Sequence, residues 1–218
     1  MAVYFWIATE FTSSPIGVWD SSSNWSFTEG GSSAGSYPDG TDDVAIVPDS
    51  ASQYILLMGS FSSQLGMYIQ LGSTGFYFDD PGSISANLFV FAGSGSVGNG
   101  NVHINGPCVF TGSASNYTDI SGDCMFSGLG AANYYGYIYG DCLFPNSSQN
   151  QGYIYGNCLF TNGSTNSGTV HGTATFNGYD SSGATNTGNV NGIALPLPEN
   201  SVAPGYTIRP LDVLGAGI

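Results

Sequence analysis

Tyr137-Ile-Tyr-Gly-Asp-Cys-Leu-Phe144 is followed sixteen residues later by Tyr153-Ile-Tyr-Gly-Asn-Cys-Leu-Phe160. The same phrase stands, with substitutions, at His103-Ile-Asn-Gly-Pro-Cys-Val-Phe110, Asp119-Ile-Ser-Gly-Asp-Cys-Met-Phe126 and Thr169-Val-His-Gly-Thr-Ala-Thr-Phe176. A degenerate sixth copy begins at Asn189-Val-Asn-Gly192. The central glycines at 106, 122, 140, 156, 172 and 192 are separated by 16, 18, 16, 16 and 20 residues. A unit this short cannot bury an apolar face alone, so a fixed period of this length marks a solenoid whose coils stack on one another.

Within each phrase Ile or Val, Gly, Cys or Ala, and Phe alternate with a variable set of Tyr, His, Asn, Asp, Ser and Thr. A period of two is a strand period, with the first set turned inward and the second outward. A helix would need three- and four-residue spacing, and each glycine would cost it about 1 kcal/mol. The fold class expected is all-β: a single-chain β-solenoid, or β-helix, with rungs of about 16 residues. Polar segments such as Pro145-Asn-Ser-Ser-Gln-Asn150-Gln-Gly152, Thr161-Asn-Gly-Ser-Thr-Asn166-Ser-Gly168 and Asn186-Thr-Gly188 supply Asn and Gly for corners with positive φ. Each rung then reads as strand, corner, short return strand and corner. The longer steps of 18 and 20 residues fit insertions at corners, because an insertion inside a strand would reverse its faces. Six rungs at strand spacing make a stack on the order of 30 Å long.

The inward ladder expected consists of Ile138 and Ile154, of Cys108, Cys124, Cys142 and Cys158, and of Phe110, Phe126, Phe144, Phe160 and Phe176. One cysteine per rung lacks the close pairing of a metal site, and thiols pointing in parallel suit a disulfide poorly. A column of free, buried thiols follows, and Ala174 in the fifth copy marks the position as small and apolar. Outward, Tyr137 and Tyr139 should lie above Tyr153 and Tyr155, with Thr169 and His171 continuing the two columns. Such a ladder can serve local packing, a protein interface or glycan contact.

Composition separates function classes. The 218 residues include 33 Gly, 14 Tyr and 13 Phe, while only 7% are charged, so the chain can build a core. Fifteen acids face one cation, Arg209, for a net charge of −14. Without a basic patch, neither phosphate backbones nor anionic membranes are expected partners. The charge keeps a glycine-rich β protein soluble, and calcium bridging of acidic pairs is the rival use. Asp123 and Asp141 occupy equivalent outward positions, and Asp42-Asp43 and Asp79-Asp80 are adjacent pairs. No cofactor is expected beyond that calcium alternative. Glycoside hydrolysis needs two carboxyls across a cleft, and the repeat places no such pair, so no enzyme is expected. His103 and His171 fall at outward positions without a nucleophile beside them.

The chain divides into residues 1–43, an aromatic cap or attachment segment; 44–100, less regular rungs; 101–194, the regular repeats; and 195–218, a proline-bearing extended arm. The apolar start, Met1-Ala-Val-Tyr-Phe-Trp-Ile-Ala8, lacks the basic flank and cleavage site of a signal peptide and reads as a first strand. Trp6, Trp19 and Trp25 suit the covering of an open solenoid end, with sugar stacking as their alternative. The arm from Leu195-Pro-Leu-Pro198 to Leu214 breaks the period and is expected to cap the far end or reach a neighbouring subunit.

Tyr4-Phe-Trp6, Trp19-Asp20, Asn24-Trp25-Ser26, Gly30-Gly31, Pro38 and Asp42-Asp-Val-Ala-Ile46 follow one another in an order that resembles the opening of repetitive β-structured proteins of tailed bacteriophages, marine ones especially, and of some bacterial adhesin-like proteins. The resemblance covers residues 4 to 47 by motif and 100 to 194 by repeat style. It implies a non-catalytic virion structural protein, such as a fibre, an appendage or a capsid decoration. The protein would be made in the host cytoplasm without a signal peptide and carried on the virion surface. Its partners would be itself, in a homo-oligomer such as a trimer, and other virion proteins. A host surface glycan is the partner if the chain is instead an adhesin or receptor-binding module. Many proteins of that type are much longer, which favours a compact decoration or a short fibre.

Overall fold

The computed structural model describes residues 2–7, 16–18, 21–38, 43–50, 53–56, 65–71, 75–78, 83–98, 103–177 and 183–196. Apart from one 3-10 turn at Ser22–Asn24, the regular structure among them is strand. The strands, all but Trp25–Ser26 in parallel, stack into sheets of eleven, nine and seven members, and the chain is a β-solenoid. From Ser83 onward each coil visits all three sheets in turn, giving about six complete three-sided rungs.

Three sides, where the phrase alone suggested one long strand and a short return, is the main difference from the sequence reading. Each phrase is broken at its glycine: Tyr137–Ile138 belongs to the seven-stranded sheet and Cys142–Phe144 to the eleven-stranded one. The glycine therefore sits at a corner instead of facing inward. A Cβ on Gly140 would stand 2.5 Å from the Gly122 carbonyl of the preceding rung, and Gly122, Gly156, Gly172 and Gly192 meet the glycine before them in the same way. Only residues without a side chain let the backbone touch backbone at this corner. Alternation resumes on each side of the break, so Ile138, Cys142 and Phe144 are all buried.

Register is strict along the stack. Cys108 pairs with Cys124, Cys124 with Cys142, Cys142 with Cys158, and Cys158 with Ala174. Phe110, Phe126, Phe144, Phe160 and Phe176 stack with ring centroids 4.7–5.0 Å apart and planes within 9°. Stacking of this kind adds about 0.5–1.5 kcal/mol per pair to the burial of the rings. Both columns run on into the less regular rungs, through Phe89 and Phe91, Met67 and Ile69, and Ala45 and Val47. The long glycine step is absorbed at corners: Asn116 to Ile120 spans four residue steps and Asn133 to Ile138 five, yet both ends stay paired across the rungs. Leu129 and Tyr135 are pushed outward at the two enlarged corners and are strongly exposed.

The nine-stranded sheet holds a feature that the sequence reading assigned to turns. Asn116, Asn133, Asn150 and Asn166 are fully buried, and Asn186 follows them in register. Each side-chain amide donates to the carbonyl oxygen of the next, at 2.9, 3.0, 2.8 and 2.8 Å. Positive φ falls elsewhere, at Asn146, Ser147 and Asn162 among the non-glycine residues.

At the N-terminal end, Trp25–Ser26 pairs antiparallel with Val3–Trp6 and closes the eleven-stranded sheet. Trp25 is 0% exposed and Trp6 4%, and their rings meet edge to face at 5.0 Å. Buried this way, neither ring offers a platform to a sugar; Trp19 lies outside the described residues. At the other end, Ala194–Pro196 still runs along the eleven-stranded sheet as its last strand. The remainder of the arm, 197–218, lies outside the described residues.

Candidate functional site

The seven-stranded sheet buries Ile104, Ile120, Ile138, Ile154 and Val170 on its inner face. The residues before and after each of these must therefore point outward. Tyr137 and Tyr153, paired across neighbouring strands, stack at 4.9 Å with planes 9° apart. One step further along each rung, Tyr139 and Tyr155 stack at 5.1 Å and 8°. His171 continues that row 4.6 Å from Tyr155 and 9° from its plane, and its Nδ1 accepts from Asn191 Nδ2 at 3.2 Å. The four tyrosines of the expected ladder thus share one outer face, with Tyr139 50% and Tyr155 45% exposed. His103 lies farther along this face, hydrogen-bonded to Ser121 and 6.0 Å from the Tyr139 ring.

Stacking decides which part of each ring meets solvent. With planes nearly parallel and one ring per rung, the facing sides of successive rings cover one another, and edges and hydroxyls are left outward. Asn105, Ser121, Tyr139, Tyr155, His171 and Asn191 make up one row of that surface and contain no carboxylate. A second aromatic group, absent from the sequence-derived candidates, adjoins the ladder: Tyr117 stacks on Tyr134 at 5.3 Å and lies 5.9 Å from Tyr135. The 18-residue step announced an insertion at a corner, but not that Tyr135 would be the residue displaced by it.

The outward carboxylates serve the backbone. Asp123 Oδ1 accepts the Asp141 N–H at 2.8 Å, and Asp141 Oδ1 accepts the Asn157 N–H at 2.7 Å and its side-chain amide at 3.2 Å. Asn157 Oδ1 then accepts the Thr173 N–H at 3.0 Å, and Asp119 accepts from the Tyr137 N–H at 3.3 Å. Asp43 Oδ1 accepts the Ala2 N–H at 3.2 Å. Each bond ties one coil to another, and the amide donors stabilise carboxylates that would otherwise repel along the column. Among the described residues no group of three His, Cys, Asp or Glu side chains converges to hold a metal ion. Asp42, Asp79 and Asp80 lie outside the described residues.

Inside, all four cysteines are buried and unbridged. Cys108 and Cys124 each donate weakly to the carbonyl of the glycine two residues before, at 3.6 and 3.7 Å. Burial pushes the Cys108 and Cys142 thiols well above the usual range, with the neighbouring Cys124 thiol adding to the shift. Cys108 and Cys142 are therefore protonated and inert as nucleophiles.

No protein-family model, curated protein or solved structure matches the chain. The class defined by its own geometry is the parallel β-solenoid repeat protein, three-sided through its regular rungs, with an aromatic row on one side.

Proposed function

We propose that the protein is a non-catalytic structural protein of the virion type, a short fibre, appendage or capsid decoration, that works through side-to-side contacts of its solenoid. The observation that carries this reading is the exposed row Tyr139, Tyr155 and His171, apolar in its rings and free of carboxylates. Edges and hydroxyls presented at one-rung intervals suit a flat protein interface, where tyrosine gives large contact area at small entropic cost. The virion setting rests on the resemblance of the aromatic opening to tailed-phage proteins. Glycan binding, as an adhesin or receptor-binding module, is the less favoured role, because sugars stack on ring faces and the facing sides of Tyr137 and Tyr153, and of Tyr139, Tyr155 and His171, cover one another.

Replacing Tyr139 and Tyr155 together by Ser is expected to reduce the assembled mass measured by light scattering while leaving the circular dichroism spectrum of the β fold in place. Unchanged assembly with an intact fold removes the interface reading, and selective binding of the isolated monomer on a glycan array replaces it with the adhesin. Mass spectrometry of purified particles tests the virion setting independently.

A further inference from the structure

The two ends of the solenoid are finished differently. At the N-terminal end Tyr4 and Trp6 terminate two inward columns, and the antiparallel strand Trp25–Ser26 lies across them so that all four residues are buried. At the C-terminal end three inward columns finish at exposed or half-buried residues. Ala194 ends the cysteine column and is exposed, where Ala174 is fully buried. Asn186 ends the amide ladder and is exposed, where Asn166 is fully buried. Val190 ends the isoleucine column and is only half-buried, where Val170 is fully buried. Three strand edges, Thr185–Asn186, Asn189–Val190 and Ala194–Pro196, form the last member of their sheets there. A cross-section rimmed by strand edges that have no further partner among the described residues is a template for whatever chain is nearest.

We propose that this end is an intramolecular docking surface whose occupant is the segment 197–218 of the same chain. The last described strand delivers the chain to the rim at Pro196, and 22 residues follow it in the sequence. They contain Val202, Tyr206, Ile208, Leu211, Val213 and Leu214, with Tyr206-Thr-Ile208 in strand alternation. Being tethered at the rim gives this segment an effective concentration in the millimolar range, well above that of a second copy at ordinary protein concentrations. It also carries Arg209, the one cation of the chain, and so can approach an acidic body with less repulsion than a second copy of net charge −14. The solution mirrors the N-terminal one, in which a short strand from the same chain crosses the end of the stack.

The test uses the full chain carrying a photo-crosslinking side chain at Asn186, which sits on a different sheet from the strand that leads into the segment. The expected product is an internal crosslink to residues beyond Gly205, mapped by peptide mass spectrometry. Dimeric products joined through this position overturn the proposal in favour of a second copy, and absence of any crosslink to residues 205–218 overturns it outright. In a second experiment, hydrogen exchange of the Thr185–Val190 amides is compared between the full chain and the Ile208→Glu variant. At least tenfold faster exchange in the variant supports docking, and equal exchange argues against it. Neither readout involves Tyr139 or Tyr155, so failure here leaves the side-to-side interface standing and the converse also holds.

Discussion

The Cys–Phe face and the asparagine face of the same rungs solve one problem with opposite chemistry. Both must fill a narrow interior with identical residues piled one above another. On the first, Phe144 stacks between Phe126 and Phe160 and stabilises by area and dispersion. On the second, Asn150 accepts from Asn133 and donates to Asn166, so each buried amide is satisfied by its neighbours. The phenylalanine column tolerates interruption, since it continues through Phe91, Ile69 and Val47. The asparagine column begins only at Asn116, above Val97, and there Asn116 Oδ1 accepts the Thr118 N–H at 3.2 Å, as Asn150 Oδ1 accepts the Gly152 N–H in mid-column. An apolar column is a sum of pairs, whereas a polar one has to be terminated correctly.

The largest effect expected is on the apolar side. Phe144→Ala removes a fully buried ring between two stacked ones and is expected to cost about 3–5 kcal/mol in denaturant unfolding. Asn150→Val, nearly the same size and matching Val97 in chemistry, is expected to cost about 2–3 kcal/mol, because it strips a donor from Asn166 and an acceptor from Asn133 and from the Gly152 N–H. The distinction between the columns is sharpest in the double variant. Adding Asn133→Val to Asn150→Val removes a partner already orphaned, so the pair should cost less than the sum by at least about 0.5 kcal/mol. Strict additivity would mean that the amides act as independent residues and would erase the contrast.

How much of this was legible follows from the same contrast. Cys142, Phe144 and Ile138 were readable because apolar residues at strand spacing have one sensible destination. Asn150 and Asn166 were not, because a polar residue near glycine has two: a corner that uses its tolerance of positive φ, or an interior that uses its amide. Nothing in a single rung distinguishes these, and the deciding signal was their recurrence one position at a time along the stack. The third side was hidden for a related reason. Gly140 occupies an inward place in the alternation, so a corner made by backbone contact with Gly122 was indistinguishable from a small core residue. Asp123 and Asp141 read as stacked charges until the coil-to-coil amide donors were visible. The Tyr137 and Tyr139 columns were readable in position, while the orientation of their rings, which bears on what they can bind, required the stack itself.

A smaller effect separates the two faces by pH. Burial raises the Cys108 and Cys142 thiols in the folded state above the unfolded value of about 8.5. The folded chain then holds protons that the unfolded chain releases, so the stability these groups contribute is complete below about pH 8.5 and declines as pH rises toward their folded values. The asparagine face has no titrating group and contributes nothing to that slope. The informative quantity is a difference between the native chain and a variant without these two thiols. The denaturation midpoint of the native chain should fall more between pH 7.5 and 9.5 than that of the Cys108→Ala, Cys142→Ala variant. Equal declines would place the alkaline sensitivity outside the thiol column.

The smallest effect has the opposite sign and tests polar satisfaction one atom at a time. Ser148 and Ser164 occupy the same inward position on successive rungs, in a column that otherwise holds Ala114, Ala131 and Ala184. Ser148 Oγ donates to the Pro145 carbonyl at 2.6 Å. Ser164 Oγ, equally buried, has no hydrogen-bond partner among the described residues. Removing an unsatisfied buried hydroxyl recovers its desolvation cost, while removing a bonded one forfeits the bond, although the Pro145 carbonyl keeps the Ser148 N–H. Ser164→Ala should therefore be neutral to about 1 kcal/mol stabilising, and Ser148→Ala about 1 kcal/mol destabilising, in the same unfolding measurement. If the two substitutions shift stability equally, the column responds to side-chain volume alone, and the rule that governs the asparagine ladder stops one residue short of it.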